Sequence, residues 1–128
     1  MNKLLILDDS DDLLYAMKYI LENNGYIVKI LNHAGNISSE IIEFVPDILI
    51  LDVNLGDENG REICKKIKMN PETKDLPVIL FSSYPKSLDN YRECLANDII
   101  EKPFDLKYLL QKISCVLANS KSTFNKIF

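Results

Sequence analysis

The stretch Asp47–Val53 (DILILDV) constrains this chain more than any other. It is a continuous aliphatic run bounded by acids. A strand with one solvated face alternates apolar and polar residues, whereas a strand covered on both faces reads as an unbroken apolar run. Sheets of that kind are parallel, and helices form their crossovers. The remainder of the chain therefore has to supply further buried strands and amphipathic helices in alternation.

It does so in order. Lys3–Leu7 is a short apolar run ending in acid, which predicts a first strand. Asp11–Asn24 sets Leu13, Leu14, Met17, Ile20 and Leu21 on one helical face, and Asn24-Gly25 is a helix stop. Tyr26–Leu31 predicts a second strand, and Ile37, Ile41, Phe44 and Val45 a second helix that ends near Pro46. After the central strand, Asn59-Gly60 marks a turn, and Ile63, Cys64 and Ile67 form a third helical stripe. Asn70-Pro71 and Leu76-Pro77 bracket a loop, and Pro77–Ser82 is a fourth strand. Lys86–Ala96 predicts a fourth helix with Leu88, Tyr91, Cys94 and Leu95 on its apolar side. Asp98–Ile100 is a very short fifth strand. Asp105–Ala118 carries Leu106, Leu109, Leu110, Ile113, Val116 and Leu117 at helical spacing. The sum is (βα)₅, an α/β fold with right-handed crossovers in a doubly wound parallel sheet.

The 128 residues make one domain, at ~100–200 residues per domain, and 47% hydrophobic residues suffice for a core without disulfides or a structural metal. The folded unit is expected over residues 1–118. Residues 119–128 form a polar C-terminal tail, read as a helix extension or a linker stub, in which Phe124, Ile127 and Phe128 are apolar for a free tail. The formal net charge of −4 argues against direct nucleic-acid binding. The N-terminal apolar run is too short for a signal peptide or a membrane span, so a cytoplasmic protein without membrane insertion is expected. Cys64, Cys94 and Cys115 are scattered and read as reduced, mostly buried small hydrophobes.

In a doubly wound sheet, ligands bind beyond the carboxyl ends of the strands. The first strand ends in Asp8-Asp9, the third in Asp52, the fourth in Ser82-Ser83 and the fifth in Lys102-Pro103. Each has a plain structural reading: Asp8 or Asp9 as a helix cap, Asp52 as a loop cap, Ser82 as a strand-end hydrogen-bonder, Lys102 as a solvated surface lysine. Together they converge on one edge. Three carboxylates crowded there repel one another and raise their own pKa values, a cost that a divalent cation removes. Mg²⁺, a hard ion that takes one or two carboxylates plus waters and phosphate oxygens, suits such a site.

The motifs ILDDS (Ile6–Ser10), PDILILDVNLGDENG (Pro46–Gly60), LPVILFSS (Leu76–Ser83) and EKPF (Glu101–Phe104) resemble the receiver domains of bacterial two-component response regulators over about residues 2–118. The resemblance implies a flavodoxin-like sheet of strand order 2-1-3-4-5. It implies that Asp52 is the phosphoacceptor and that Asp8, Asp9, Asp52 and the backbone carbonyl of Asn54 hold Mg²⁺. Ser82 then matches the family's hydroxyl, Lys102 its lysine, Pro103 the proline that follows through a cis peptide bond, and Gly60 a turn glycine at the start of the third helix. The implied donor is a phosphohistidine on a histidine kinase or a histidine phosphotransfer protein. His33 lies on no phosphotransfer motif and is not that group. Phosphorylation adds charge and acceptor oxygens. The implied consequence is a shift of the surface formed by the fourth helix, fifth strand and fifth helix, which meets a downstream protein target or an output domain in a longer chain. The protein is then no enzyme toward other substrates: it catalyses only its own phosphorylation and dephosphorylation.

The chain departs from the family pattern at two positions. Ile99 stands where an aromatic ring often swings inward, and its β-branched side chain cannot make that swing. Leu95 stands where the family often has glycine. Asn54 and Tyr84 lie two residues beyond Asp52 and Ser82, positions that in the family flank the phosphoryl group and influence hydrolysis; Tyr84 reads either as a shield of the anhydride from water or as a ring that packs on the loop. The alternative to a phosphorylation switch is a phosphate-independent receiver-like interaction module, which Ile99 favours and the intact set of Asp8, Asp9, Asp52, Ser82 and Lys102 opposes. A flavin protein would need a Ser/Thr/Gly-rich phosphate loop where this chain has DDSDD, and an aspartate-based phosphatase would need a cap domain. The tail is too short for an output domain, so the chain is expected to be either a stand-alone receiver or a piece of a longer protein.

Overall fold

The computed structural model describes residues 2–84 and 89–127, with only the backbone of 121–127. Five strands form one parallel sheet: β1 (Lys3–Leu7), β2 (Ile27–Leu31), β3 (Ile48–Asp52), β4 (Val78–Ser82) and β5 (Asp98–Glu101), in the order β2-β1-β3-β4-β5. The expected flavodoxin-like order is the observed one. Among the described residues, four helices flank the sheet: α1 (Asp11–Asn23), α2 (Ile37–Phe44), α3 (Gly60–Met69) and α4 (Leu106–Ile127). Helix α4 continues without a break past the expected boundary at residue 118. Among the described residues, no helix is long and apolar enough to cross a membrane.

The strand pattern explains the layers. Successive side chains point to opposite faces. Leu4, Ile6, Ile48, Ile50, Ile79 and Phe81 meet α1 and α4 through Leu14, Met17, Leu21, Leu109 and Ile113. Leu5, Leu7, Leu49, Leu51, Val78 and Leu80 meet α2 and α3 through Ile41, Cys64 and Ile67. All five residues of β3 are buried, which is why Asp47–Val53 shows no alternation. Each fully buried Val, Leu, Ile or Phe contributes about 1.5–3 kcal/mol of transfer free energy, and β1, β3 and β4 are built mostly of such residues. Cys64 and Cys94 lie in this interior, and Cys115 is exposed.

Helix termini follow local chemistry. Ser10, not Asp8 or Asp9, caps α1: its side chain accepts a hydrogen bond from the Leu13 N–H at 3.3 Å. Asn59-Gly60 is not a turn but the start of α3, with the Asn59 side chain accepting from the Arg61 N–H at 2.8 Å. The turn lies earlier, where Asn54–Leu55 pairs antiparallel with Glu58–Asn59 and Gly56 has φ +67°.

The expected fourth helix is the clearest departure. Lys86 and Leu88 lie outside the described residues, as do the side chains of Phe124, Ile127 and Phe128. Within the described part of Lys86–Ala96 there is only a 3₁₀ turn over Tyr91–Cys94, flanked by Asn90 at φ +54° and Leu95 at φ +68°. Left-handed residues on both sides cannot extend a right-handed helix. The Arg61 guanidinium donates to the carbonyls of Asp89 at 2.7 Å and Asn90 at 3.0 Å, and ties this segment to α3.

Candidate functional site at the carboxyl edge of the sheet

Parallel strands of matched register deliver their last residues to one edge. Asp8 follows β1, Asp52 ends β3, Ser82 ends β4 and Lys102 follows β5. The Lys102 N–H donates to the Ser82 carbonyl at 2.8 Å, so β5 feeds its lysine straight into the site. Asp8, Asp52 and Ser82 are 0%, 4% and 0% exposed. Asp9 points outward, yet a carboxylate oxygen from each of Asp8, Asp9 and Asp52 lies within 4.8 Å of the others.

The charges are held in fixed geometry. The Lys102 ammonium donates to Asp8 Oδ2 at 2.8 Å and to Asp52 Oδ2 at 3.4 Å. It also stands over the Phe81 ring, 4.4 Å from the centroid. Asp8 Oδ1 accepts from the Ser10 N–H at 2.7 Å. Asp52 Oδ1 accepts from the Asn54 N–H at 3.1 Å. Burial pushes the Asp52 carboxyl up from its ordinary 3.8 to about 6, and the negative charge of Asp8 adds to this; the Asn54 N–H and Lys102 work against it. The carboxylate is thus an underneutralised anion in a largely dry place, with a strong demand for positive charge.

Ser82 ends the strand next to that of Asp52. Its hydroxyl accepts from Asn54 Nδ2 at 3.1 Å and from the Tyr84 N–H at 3.1 Å. The Tyr84 residue itself is 64% exposed and stands at the mouth of the site. Ile99 is half-buried against the core face of α2 and α3. The Lys102–Pro103 peptide bond is cis.

Gly60 belongs to the site through close approach and not through an unusual backbone angle. A Cβ there would stand 2.1 Å from the Asp52 carbonyl oxygen and 2.8 Å from the Val53 Cα, while the Gly60 N–H donates to the Val53 carbonyl at 2.7 Å. The start of α3 is therefore pressed against the backbone of Asp52 itself.

The structure thus brings together Asp8, Asp9, Asp52, Asn54, Ser82 and Lys102, with exposed Tyr84 beside Ser82 and buried Gly60 against the Asp52 backbone. Two contributions had no signal in the sequence: the Asn54 amide on Ser82, and the Phe81 ring beneath Lys102. The donor set of three carboxylates suits a hard, oxygen-seeking divalent cation. A carboxylate with an ammonium beside it is the minimal equipment for receiving a phosphoryl group.

Comparison with known proteins agrees with this arrangement. Residues 4–114 match the family model of the response regulator receiver domain. The chain is 32% identical over 122 residues to the transcriptional regulatory protein CpxR of Escherichia coli (strain K12), covering 94% of this chain and 51% of that protein. It is 28% identical over 120 residues to the protein PilH of Pseudomonas aeruginosa, covering 92% of this chain and 99% of that protein. Among solved structures, a CheY-like response regulator receiver domain protein from Methanospirillum hungatei JF-1 superposes with a TM-score of 0.85 at 28% identity, covering 96% of this chain and 98% of that one. The chain spans about half the length of CpxR and nearly the full length of PilH.

Proposed function

This chain belongs to the response regulator receiver domain family of two-component systems, and from that premise we propose that it is a phosphorylation-activated switch with Asp52 as the acceptor. A carboxylate oxygen of Asp52 attacks the phosphorus of a phosphohistidine on a histidine kinase or histidine phosphotransfer protein. The P–N bond breaks, an O–P bond forms, and the imidazole leaves with a proton. Mg²⁺ held by Asp8, Asp9, Asp52 and the Asn54 carbonyl would supply charge neutralisation to the transferring oxygens. Lys102 stands ready to pair with one of those oxygens, and Ser82 to donate to another. Tyr84 and Asn54 flank the resulting anhydride and set how fast water reaches it. Ile99 leaves the hydroxyl of Ser82, without an aromatic partner, to carry the change toward the β5 side.

The observation that carries this reading is the buried Asp52 carboxylate held between Lys102 and the Asn54 N–H beside two further acids. The family places its members downstream of histidine kinases, and a response of this domain would pass to a protein target or to an output domain. A cytoplasmic site of action and an absence of other enzymatic activity belong to the same proposal. Incubation with Mg²⁺ and acetyl phosphate or phosphoramidate should add one phosphoryl mass to the intact protein, and Asp52→Ala should not take it up. No adduct with any donor would favour the phosphate-independent interaction module instead.

A further inference from the structure

Ser82 Oγ is committed twice. A hydroxyl has one hydrogen to donate and two lone pairs to accept with. In Ser82 the acceptor capacity is taken by Asn54 Nδ2 at 3.1 Å and the Tyr84 N–H at 3.1 Å. The Tyr84 contact is local, from two residues along the same loop. The Asn54 contact is different in kind, since it joins the loop after β3 to the end of β4, 28 residues away. The same residue also donates its backbone N–H to Asp52 Oδ1 at 3.1 Å. Asn54 therefore holds the acceptor carboxylate with one N–H and the hydroxyl beside it with another.

We propose that the Asn54 side-chain amide is a positioning residue that holds Ser82 in its resting arrangement, as a brake on the switch. The inference rests on the reading of Asp52 as acceptor. For Ser82 to turn toward an oxygen on Asp52 and donate to it, the hydroxyl has to leave the Asn54 amide. One neutral hydrogen bond corresponds to roughly a fivefold bias in such an equilibrium. Asn54 is itself exposed, so its side chain is free to swing away when the contact breaks, and substitution there does not open the core. The residue type at this position then sets how readily the loop after β4 responds to modification of Asp52.

The test uses the whole chain and a double-mutant cycle. Asn54→Leu removes the amide donor at similar volume, and Ser82→Ala removes its acceptor. In protein without phosphoryl donor, Ser82→Ala should shift the Asn54 side-chain NH₂ and Tyr84 backbone resonances in ¹⁵N-correlated NMR spectra. Beryllofluoride with Mg²⁺ then probes the acceptor. Asn54→Leu should lower the beryllofluoride concentration at half-saturation by about fivefold with Ser82 present, and leave it unchanged in the Ser82→Ala background. An equal effect in both backgrounds would overturn the brake, because Asn54 would then act on the carboxylate or on water alone. Unshifted Asn54 resonances in Ser82→Ala would overturn the contact itself. A wild-type protein that binds no beryllofluoride and takes no phosphoryl group would instead overturn the acceptor reading, while the NMR arm still reports on the Asn54–Ser82 pair. Asn54→Ala repeats each arm should Asn54→Leu fail to fold.

Discussion

Burial is the largest influence on the Asp52 carboxyl, and Asn54 and Lys102 offset it only in part. The folded pKa of about 6 lies above the ordinary 3.8, so this group favours the folded state fully below pH 3.8 and loses that contribution as pH rises toward 6. A shift of that size amounts to at most about 3 kcal/mol. Asp52→Asn, measured in chelator by urea unfolding, should therefore be more stable than the wild type at pH 7.5, by about 2–3 kcal/mol. The difference should fade by pH 4. A difference independent of pH would show that the carboxylate is not strained by its burial. The residues of this site were legible in the sequence because each ends a strand, and strand ends share an edge. What they touch was not. Lys102 lies closer to Asp8 than to Asp52, and Asn54 reaches Ser82, because of loop conformations that residue spacing does not encode.

At the scale of elements, periodicity was reliable where helices pack on the sheet and failed where the segment is held by something else. The stripes in α1 and α4 are buried or half-buried as their spacing requires, except for Leu106 at the start of α4, which is 43% exposed. The stripe of Leu88, Tyr91, Cys94 and Leu95 has the same spacing, yet its described part forms a 3₁₀ turn. In a helix, the carbonyls of Asp89 and Asn90 would accept from backbone N–H groups four residues on. Here Arg61 binds both, and the Asn90 carbonyl also accepts from the Glu93 N–H at 2.9 Å, three residues on, which closes a 3₁₀ turn and not an α-turn. That competition comes from a residue 28 positions earlier, and no local pattern announces it. Leu95 bears the consequence: half exposed and at φ +68°, it occupies a conformation that costs a residue with a Cβ about 1–2 kcal/mol. Leu95→Gly should therefore be neutral or stabilising by up to about 1 kcal/mol, once the greater freedom of glycine in the unfolded chain is set against the relieved strain. In a helix interior the same change would cost about 1 kcal/mol. Urea midpoints of the two proteins distinguish these signs.

The whole molecule sets a buried acidic site on a core that does not need it. Two hydrophobic layers clamp the sheet, and that much follows from the unbroken apolar runs of β1, β3 and β4. The carboxyl edge works against this stability, since Asp8 and Asp52 are buried with Lys102 as their shared cation. Lys102 is only 17% exposed and Asp8 not at all. Removing one partner of a buried pair leaves an uncompensated charge and typically costs about 3–5 kcal/mol. Lys102→Met should lose on that order in chelator, about 3 kcal/mol. A divalent cation on Asp8 would then replace what the ammonium supplied. Mg²⁺ at a hundredfold excess over its dissociation constant stabilises a one-site protein by about 2.7 kcal/mol. In the wild type part of that gain is spent displacing Lys102 from Asp8, whereas in Lys102→Met nothing has to be displaced. The upward shift in melting temperature on adding Mg²⁺ should thus be larger for Lys102→Met than for the wild type, and both shifts should vanish when Asp8→Asn is added. Equal shifts in the two proteins would mean that lysine and metal occupy the site without competing, and that Asp8 is not the carboxylate they share.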